Sequence, residues 1–436
     1  MYRQIYKKLL AWKNLPVRKP LVIEGARQVG KTWILKEFGK NEYRNMVYVN
    51  CDNNPLLEGL FADYDIPRII RFLSAIYDTT IDKNETLIVF DEIQELPRGL
   101  AALKYFNENS DYHVAAGGSL LGITLHSGTG FPVGNVEVLH MYPMSFKEFL
   151  LAAGKDNLVK LIEGRNWPEL SRLSESLTEL LRQYYYVGGM PEVVSSYIAE
   201  QNLIKVRQLQ KTILEAYNFD ISKHAPRSDV PKINMVFRSL PSQLAKENRK
   251  FIYGALKKGG RAKEFENAIN WLIDAGLIHK VCRVTKMSRP LKFYEDPKAF
   301  KLFANDLGLL GALADAPAKD IIIGSKGFTE YKGAFTEQFV AQSFLCSDLG
   351  GLYYYTNENS TLEIDFVVQC DRVFAIEVKA ETNLKAKSLS TVLKNDCELS
   401  GLRFSLSGYK DQERICNIPL YLCEEYFFNL FEKSEN

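Results

Sequence analysis

The sequence predicts a multidomain α/β protein whose first domain is a three-layer αβα sheet of parallel strands. The apolar run at 21–23 leads into the segment 25–32, Gly-Ala-Arg-Gln-Val-Gly-Lys-Thr, and then into a helical pattern over 33–38. Apolar strand patterns alternate with helical ones over 45–149, as a parallel sheet with crossover helices requires. The chain has 436 residues, enough for about two to four domains.

Residues 25–32 have the spacing of a phosphate-binding loop, two glycines separated by four residues and followed by Lys and Thr. Backbone N–H groups and the positive end of the next helix hold phosphate in such loops. We expect Lys31 to reach the β- and γ-phosphates and the Thr32 hydroxyl to bind Mg²⁺. A strand before the loop and a helix after it argue against a chance match in an ordinary turn. The predicted nucleotide contacts here are Gly25, Ala26, Arg27, Gln28, Val29, Gly30, Lys31, Thr32 and Trp33.

A second apolar strand, at 86–90, ends in Asp91 and Glu92. The carboxyl end of a strand is where ligands of open α/β sheets bind. We expect Asp91 to hold Mg²⁺ through water and Glu92 to polarise the attacking water. This signature is weak alone and strong beside the phosphate-binding loop, so the predicted catalytic set is Lys31, Asp91 and Glu92.

Two turns supply further candidates for nucleotide contact. In ATPases of this architecture, a polar residue after the fourth strand touches the γ-phosphate, which makes Ser119 the candidate. A Gly-rich turn with a capping serine is the alternative. The turn at 188–192 makes Met190 and Pro191 candidates for packing on adenine, and a structural helix–helix corner is the alternative.

The middle of the chain predicts a winged helix. Helical patterns at 232–240, 251–256 and 262–275 precede strand patterns at 277–284 and 291–294. A basic cluster lies here, with Glu247 as the acidic residue within it: Lys246, Arg249, Lys250, Lys257, Lys258, Arg261 and Lys263. Such a cluster can neutralise DNA phosphates, or it can be a solvated face on a protein-contact module.

The carboxyl-terminal part carries the pattern of a restriction-endonuclease-like core. Asp365 lies in an apolar strand, and Glu377 and Lys379 follow on the next strand, where a spacing of two places both on one face. The predicted metal ligands are Asp365, Glu377 and Glu337 on the preceding helix, and Lys379 would orient the attacking water. A domain kept for binding, with these charges in a buried network, is the alternative.

Several segments together carry a resemblance to a known family. They are residues 25–32, Val-Phe-Asp-Glu-Ile-Gln-Glu-Leu-Pro at 89–97, Tyr-Pro-Met-Ser-Phe-Lys-Glu-Phe at 142–149 and Gly-Gly-Met-Pro-Glu-Val at 188–193. The chain resembles a bacterial and archaeal family of AAA-type ATPases with a nuclease-like C-terminal domain of uncharacterised function. The resemblance implies an extra strand between the strands that end at the loop and at Asp91, and it adds Gln94 to the neighbourhood of Asp91. The turn at 117–119 has fewer hydroxyls than the family's usual one.

The resulting domain prediction has four parts. They are a P-loop AAA-type ATPase core at 1–155, a helical lid at 156–228, a winged-helix-like domain at 229–300 and a restriction-endonuclease-like α/β domain at 301–436. We expect an ATP-binding, Mg²⁺-dependent ATP hydrolase that couples nucleotide state to a DNA-interacting C-terminal domain. Two alternatives stay open, a slow nucleotide-gated switch with a protein partner and an active metal-dependent endonuclease.

Bulk properties fit a cytoplasmic protein. The formal charge is +2, and the seven cysteines have no metal-site spacing and an odd count, so we expect reduced thiols. The N-terminus lacks the apolar run of a signal peptide, and no apolar window reaches the roughly 18 residues of a membrane span. The oligomeric state stays open, as does the arginine finger, for which Arg98, Arg165 and Arg182 are candidates.

Overall fold

The computed structural model describes residues 1–57, 59–109, 111–119, 121–126, 131–246, 249–323, 326–382 and 386–435. It divides into two compact units. Unit 1 consists of Met1–Tyr142 and Asp274–Leu277, and unit 2 of Pro143–Ile273 and Ile278–Asn436. All seven cysteines are free thiols. No described helix combines the length and the apolar character that crossing a bilayer requires.

Unit 1 alternates strands with helices. Its strands are β1 (Leu21–Glu24), β2 (Asn45–Asn50), β3 (Thr86–Asp91), β4 (His113–Gly118) and β5 (Glu137–His140). Its helices are α1 (Ile5–Lys13), α2 (Lys31–Glu42), α3 (Ile66–Ile76), α4 (Pro97–Asn109) and α5 (Leu121–His126). The strands pair in parallel in the order β2-β3-β4-β1-β5, which confirms the predicted parallel sheet. Strand β4 lies between β1 and β3, where the resemblance implied an extra strand.

The central strands β1, β3 and β4 are buried on both faces, which explains their continuous apolar sequences. Strand β3 is buried over its whole length. Because all five strands run parallel, the carboxyl ends of β1, β3 and β4 lie at one edge. Gly25 follows β1, Asp91 ends β3 and Ser119 follows β4, so the topology brings the three predicted segments to the same edge.

Unit 2 combines helices with a second sheet. Its helices are α6 (Phe146–Ala152), α7 (Asp156–Glu163), α8 (Trp167–Leu170), α9 (Ser174–Val187), α10 (Pro191–Glu200), α11 (Leu203–His224), α12 (Val230–Leu244), α13 (Ala262–Asp274), α14 (Leu307–Leu313), α15 (Ala318–Ile323), α16 (Lys326–Leu345), α17 (Lys387–Asn395) and α18 (Cys423–Glu435). Ser145 and Glu148 form the predicted capping box at the start of α6.

The sheet of unit 2 is mixed and eight-stranded, in the order β12-β13-β11-β10-β9-β8-β6-β7. Its strands are β6 (Ile278–Val284), β7 (Glu295–Ala304), β8 (Tyr353–Thr356), β9 (Glu363–Gln369), β10 (Val373–Val378), β11 (Ser400–Ser405), β12 (Lys410–Gln412) and β13 (Ile415–Pro419). Strand β6 pairs with both β7 and β8, so the sequence around residue 280 joins the sheet of the carboxyl-terminal part. The predicted boundary at 300/301 lies inside β7, and the predicted domain limits stay predictions.

Three short apolar segments differ from their predicted conformation. Residues 291–294, predicted as a strand, form a 3₁₀ turn, because Leu291 is buried and its N–H donates to Gln369 Oε1 at 2.8 Å. Residues 251–256, predicted as a helix, contain only a short 3₁₀ turn, since the Phe251 N–H donates to the Phe300 carbonyl. The strand predicted at 419–422 ends at Pro419 and continues as a 3₁₀ turn. The predicted helix at 384–393 begins outside the described residues, and α17 starts at Lys387.

Candidate functional site

The loop between β1 and α2 needs unusual backbone conformations. Gly25 has φ +154°, and a Cβ there would lie 2.1 Å from the Met141 carbonyl oxygen, so no other residue fits without a shift. Gln28 and Gly30 have φ of +66° and +100°. Left-handed residues of this kind build the concave arrays of N–H groups that bind anions, and Gly30 directly precedes α2.

The Lys31 side chain follows this loop. Its Nζ donates to the carbonyls of Gly25 at 2.9 Å and Ala26 at 2.8 Å, and the residue is buried. Buried Arg3 supports the same loop, donating to the Val29 carbonyl at 2.7 Å and the Tyr142 carbonyl at 2.6 Å. Sequence reasoning missed Arg3, because nothing in its local pattern distinguishes it from other amino-terminal basic residues.

Thr32 and Asp91 are far apart in the chain, and their side chains are in contact in the structure. Thr32 Oγ1 donates to Asp91 Oδ2 at 2.7 Å, and the Tyr48 hydroxyl donates to the same oxygen at 2.7 Å. Burial and the hydrogen bond to Asp91 raise the pKa of Tyr48, so its hydroxyl remains a donor. Burial also raises the pKa of nearby Cys51 to about 12, which keeps its thiol protonated. Tyr48 was not predicted, although its place on β2, next to β3, was a usable signal.

Glu92 is held by two donors. Its backbone is left-handed, and its Oε2 accepts from Gln94 Nε2 at 2.6 Å and from Ser119 Oγ at 3.2 Å. A Cβ on Gly118 would lie 2.4 Å from Gln94 Oε1, so this glycine leaves room for Gln94. Glu92 therefore contacts both Ser119, which was also predicted, and Gln94, which the resemblance added.

The other predicted nucleotide contacts differ in exposure. Ala26 and Val29 are buried, whereas Arg27 is exposed and Trp33 keeps 42% of its surface exposed. Pro191 and Met190 belong to unit 2, where Pro191 opens α10 and Met190 is fully buried.

The corner at 188–191 has its own support within unit 2. The Gly189 N–H donates to buried Asp306 Oδ2 at 2.6 Å. Burial raises the pKa of Asp306 to about 6. These contacts are what a structural helix–helix corner needs, and the adenine contact of Pro191 stays a prediction.

The arginine-finger candidates also differ in their surroundings. Arg165 is ion-paired to Glu425 at 3.1 Å and to Glu432 at 2.7 Å, all within unit 2. Arg98 is exposed and Arg182 is half-buried. The finger remains unassigned.

The carboxyl-terminal candidates lie on neighbouring elements of unit 2. In the antiparallel pairing of β9 with β10, Phe366 opposes Ile376, which sets Asp365 beside Glu377. Asp365 Oδ2 accepts from the Val378 N–H at 2.7 Å, and Lys379 Nζ lies 2.5 Å from Glu377 Oε1. Glu377 and Lys379 therefore contact each other, and their roles as metal ligand and water-orienting residue stay predictions.

Two basic residues, Arg249 and Lys301, belong to the same cluster, and neither was predicted to contact its carboxylates. Glu337 on α16 is ion-paired to Arg249, and its Oε2 lies 3.6 Å from Lys301 Nζ. Burial opposes ionisation of Glu337, but Arg249 and Lys301 hold its pKa below the usual range. Burial and the neighbouring Glu337 raise the pKa of Asp365 well above its usual range. Among the described residues, no three His, Cys, Asp or Glu side chains converge as metal ligands do.

The predicted basic cluster is only partly available to a partner. Arg249 is engaged by Glu337, and Lys257 is paired to Glu264 at 2.8 Å. Glu247 lies outside the described residues. Four further basic side chains of the cluster are exposed and have no ion pair with the residues that the structure describes, namely Lys250, Lys258, Arg261 and Lys263.

The chain is similar to known families in three stretches. Residues 17–150 match the family described as AAA domain. Residues 178–320 match "Domain of unknown function (DUF8612)", and residues 332–421 match "Domain of unknown function (DUF4143)". A search of curated proteins finds no match.

Some solved structures are similar at low identity. The Walker-type ATPase paby2304 of Pyrococcus abyssi is 14% identical, with a TM-score of 0.44 over 72% of this chain and 95% of that one. The Aeropyrum pernix ORC1 protein in complex with DNA is 14% identical, with a TM-score of 0.26 over 72% and 91%. The Thermotoga maritima RuvB Holliday junction branch migration motor is 15% identical, with a TM-score of 0.28 over 64% and 89%. Likenesses at these scores carry no argument about function.

The family match and the local geometry concern the same residues. The match at 17–150 covers the loop at 25–32, the strand β3 that ends at Asp91, and Ser119 after β4. Residues 17–150 therefore form a domain that is similar to AAA domains and that carries the phosphate-binding loop and the carboxylate after β3.

Proposed function

We propose that unit 1 binds ATP with Mg²⁺ at residues 25–32 and hydrolyses it with Glu92 as the residue that polarises the attacking water. The contact between Thr32 and Asp91, 2.7 Å long, is the observation that carries the proposal. It joins the end of the phosphate-binding loop to the carboxylate after β3, which is the pairing that a nucleotide-bound cation requires.

The residues at this position fit a magnesium ion. The Thr32 hydroxyl and the Asp91 carboxylate are hard oxygen donors, which Mg²⁺ prefers to nitrogen or sulfur. When bound, Mg²⁺ supplies positive charge that offsets the charge on the phosphoryl oxygens. Tyr48 fixes the Asp91 carboxylate from the side of β2, so the carboxylate is oriented before nucleotide binds.

The remaining residues divide the work on the phosphates. Lys31 exchanges its two carbonyl partners for the β- and γ-phosphates, and the loop N–H groups bind the β-phosphate. Glu92 accepts a proton from, or orients, the attacking water. Ser119 donates to Glu92, and this contact supports a role in which Ser119 detects the γ-phosphate and reports its loss to Glu92.

The proposed chemistry is tested with two substitutions and one control. Lys31→Ala removes the charge on the phosphates and should weaken ATP binding about 100-fold, because hydrogen bonds to charged groups contribute roughly 1.5–3 kcal/mol. Glu92→Gln should keep ATP affinity and lower the turnover number by about 100-fold or more. The control is Lys40→Ala, an exposed lysine on the same helix α2. Binding is measured with labelled ATP and turnover by phosphate release.

Two outcomes would overturn the assignment. Unchanged ATP binding by Lys31→Ala would mean that nucleotide binds elsewhere, and normal turnover by Glu92→Gln would remove Glu92 from the reaction. Tight binding with no measurable turnover in the wild-type protein would favour the slow nucleotide-gated switch.

We further propose that nucleotide state is coupled to DNA binding by unit 2. The exposed basic side chains of Lys250, Lys258, Arg261 and Lys263 support this, since phosphate contacts dominate DNA affinity. We assign a winged-helix-like contact with DNA to one part of unit 2, which consists of helices α12 and α13 and strands β6 and β7. The helical lid, at 156–228, is the segment proposed to respond to nucleotide. A protein partner is the alternative occupant of the same basic face.

A further inference from the structure

Lys301 is the most deeply buried charged side chain of the carboxyl-terminal cluster. It lies on β7 with 0% of its surface exposed. Its Nζ is 2.7 Å from Glu363 Oε1 and 3.6 Å from Glu337 Oε2, and it lies 4.9 Å from the centre of the Tyr354 ring. Lysine is almost never fully buried unless it is paired, so these contacts hold the ammonium in place.

The carboxylates that the sequence assigned to a metal are committed to partners inside the protein. Glu337 is shared between Lys301 and Arg249. Asp365 accepts from the Val378 N–H, and Glu377 is paired with Lys379. One oxygen of Glu377 and one of Glu337 have no hydrogen-bond partner among the described atoms, but the Glu337 oxygen lies 3.6 Å from Lys301 Nζ, so a cation there would face the ammonium. The residues present therefore do not fit the catalytic metal that an endonuclease of this type requires.

A divalent cation at Glu337 would meet two fixed positive charges. Lys301 and Arg249 both contact this carboxylate, and Arg249 is largely buried as well. A metal ion bound to Glu337 would lie close to both cations, and each of them would repel it. The ammonium and the guanidinium thus exclude the ion by charge and by position.

We propose that Lys301 and Arg249 are internal cations that replace a divalent metal, so that the carboxyl-terminal cluster is a metal-independent ionic lock. The lock joins four parts of unit 2: the segment at Arg249, strand β7, helix α16 and strand β9. The domain would then act by binding a partner and not by metal-dependent cleavage of phosphodiesters. This inference is independent of the ATP site, because every residue in it belongs to unit 2.

In the first test, the full-length protein is titrated with Mn²⁺ in the absence of nucleotide. Electron paramagnetic resonance monitors the signal of free Mn²⁺, which decreases when the ion binds. The wild-type protein should leave the signal of free Mn²⁺ unchanged across the micromolar range. The positive control compares the Mn²⁺ spectrum of ATP alone with that of ATP and protein, because ATP itself binds Mn²⁺. The spectral change that the protein adds should be lost in Lys31→Ala. A nucleotide-independent site that disappears in Asp365→Asn and in Glu337→Gln would overturn the proposal.

The second test measures the lock directly. Lys301→Met keeps the length of the side chain and removes its charge, and it should lower the melting temperature by about 10 °C. The matched control, Lys332→Met, removes a lysine paired to exposed Glu381 and should lower it by no more than about 2 °C. If Lys301→Met does not fold, the variant Glu363→Gln is used instead, because it removes one partner of the Lys301 ammonium. Equal, small shifts for the cluster and control variants would overturn the lock.

Discussion

Tyr48 lies outside the recognised motifs, and its hydroxyl orients Asp91 at the proposed nucleotide site. It donates to the Asp91 oxygen that also accepts from Thr32. Tyr48→Phe removes this donor and leaves the ring, so Asp91 should keep its place but lose its fixed orientation. A hydrogen bond to a charged group contributes roughly 1.5–3 kcal/mol, so we expect turnover to fall about 10-fold with little change in ATP affinity.

Steady-state phosphate release measures this effect, and Tyr105→Phe is the control, since Tyr105 stacks on Tyr64 at 4.5 Å. A fall in ATP affinity without a fall in turnover would show that Tyr48 acts on binding and not on the orientation of Asp91.

The residues that could be predicted from sequence are those whose chemistry and spacing are local. Lys31, Thr32, Asp91 and Glu92 each sit in a short pattern that carries its own meaning. Lys301 could not be found this way, because its role comes from carboxylates on other elements that only the fold brings to it.

At the scale of elements, the corner between α9 and α10 carries a pH dependence. Asp306 accepts from the N–H groups of Gly189 at 2.6 Å and Leu309 at 2.9 Å, and burial raises its pKa to about 6 from about 4. The folded state therefore binds a proton more tightly than the unfolded state. The contribution of Asp306 to the stability of the folded state is fully present below about pH 4 and is lost as pH rises through 6.

The prediction compares the wild-type protein with Asp306→Asn, which cannot titrate. Between pH 4 and pH 6 the free energy of unfolding of the wild-type protein should fall by up to about 3 kcal/mol relative to the variant. Denaturant titrations at several pH values measure it. The control is Asp315→Asn. Because Lys211 lowers the pKa of Asp315, the free energy of unfolding of the wild-type protein relative to this variant should rise, and not fall, as pH increases. A parallel pH course for wild type and Asp306→Asn would contradict the assignment.

The conformation of a segment with an uninterrupted apolar sequence could be predicted, whereas the conformation of segments with an interrupted apolar sequence could not. Strand β3 is buried throughout, and its sequence is apolar from Leu87 to Phe90. The runs at 251–256 and 291–294 are interrupted by Gly254 and Lys292, and the backbone N–H groups of Phe251 and Leu291 donate to residues far away in the sequence. Sequence periodicity does not contain those bonds.

At the scale of the whole molecule, local patterns predicted the sheet of unit 1 better than that of unit 2. In unit 1, the strands alternate regularly with helices along the chain. In unit 2, β6 pairs with β8, although residues 285–352 separate them in sequence. That pairing carries Lys301, on the neighbouring strand β7, into the carboxyl-terminal sheet, and no periodicity near residue 301 indicates it.

The proposed coupling makes a prediction about the complete protein. If nucleotide state and DNA binding are linked, DNA should raise the rate of ATP hydrolysis, and DNA and ATP should change each other's affinity by the same factor. The triple variant Lys258→Glu, Arg261→Glu, Lys263→Glu reverses three exposed charges and should lose DNA stimulation while its basal hydrolysis is unchanged. The control reverses three exposed lysines of unit 1, namely Lys7, Lys8 and Lys40. Stimulation of wild type and control at low salt, absent in the triple variant, would support a DNA-linked ATPase. Identical rates with and without DNA in all three proteins would leave the protein-partner switch as the better account.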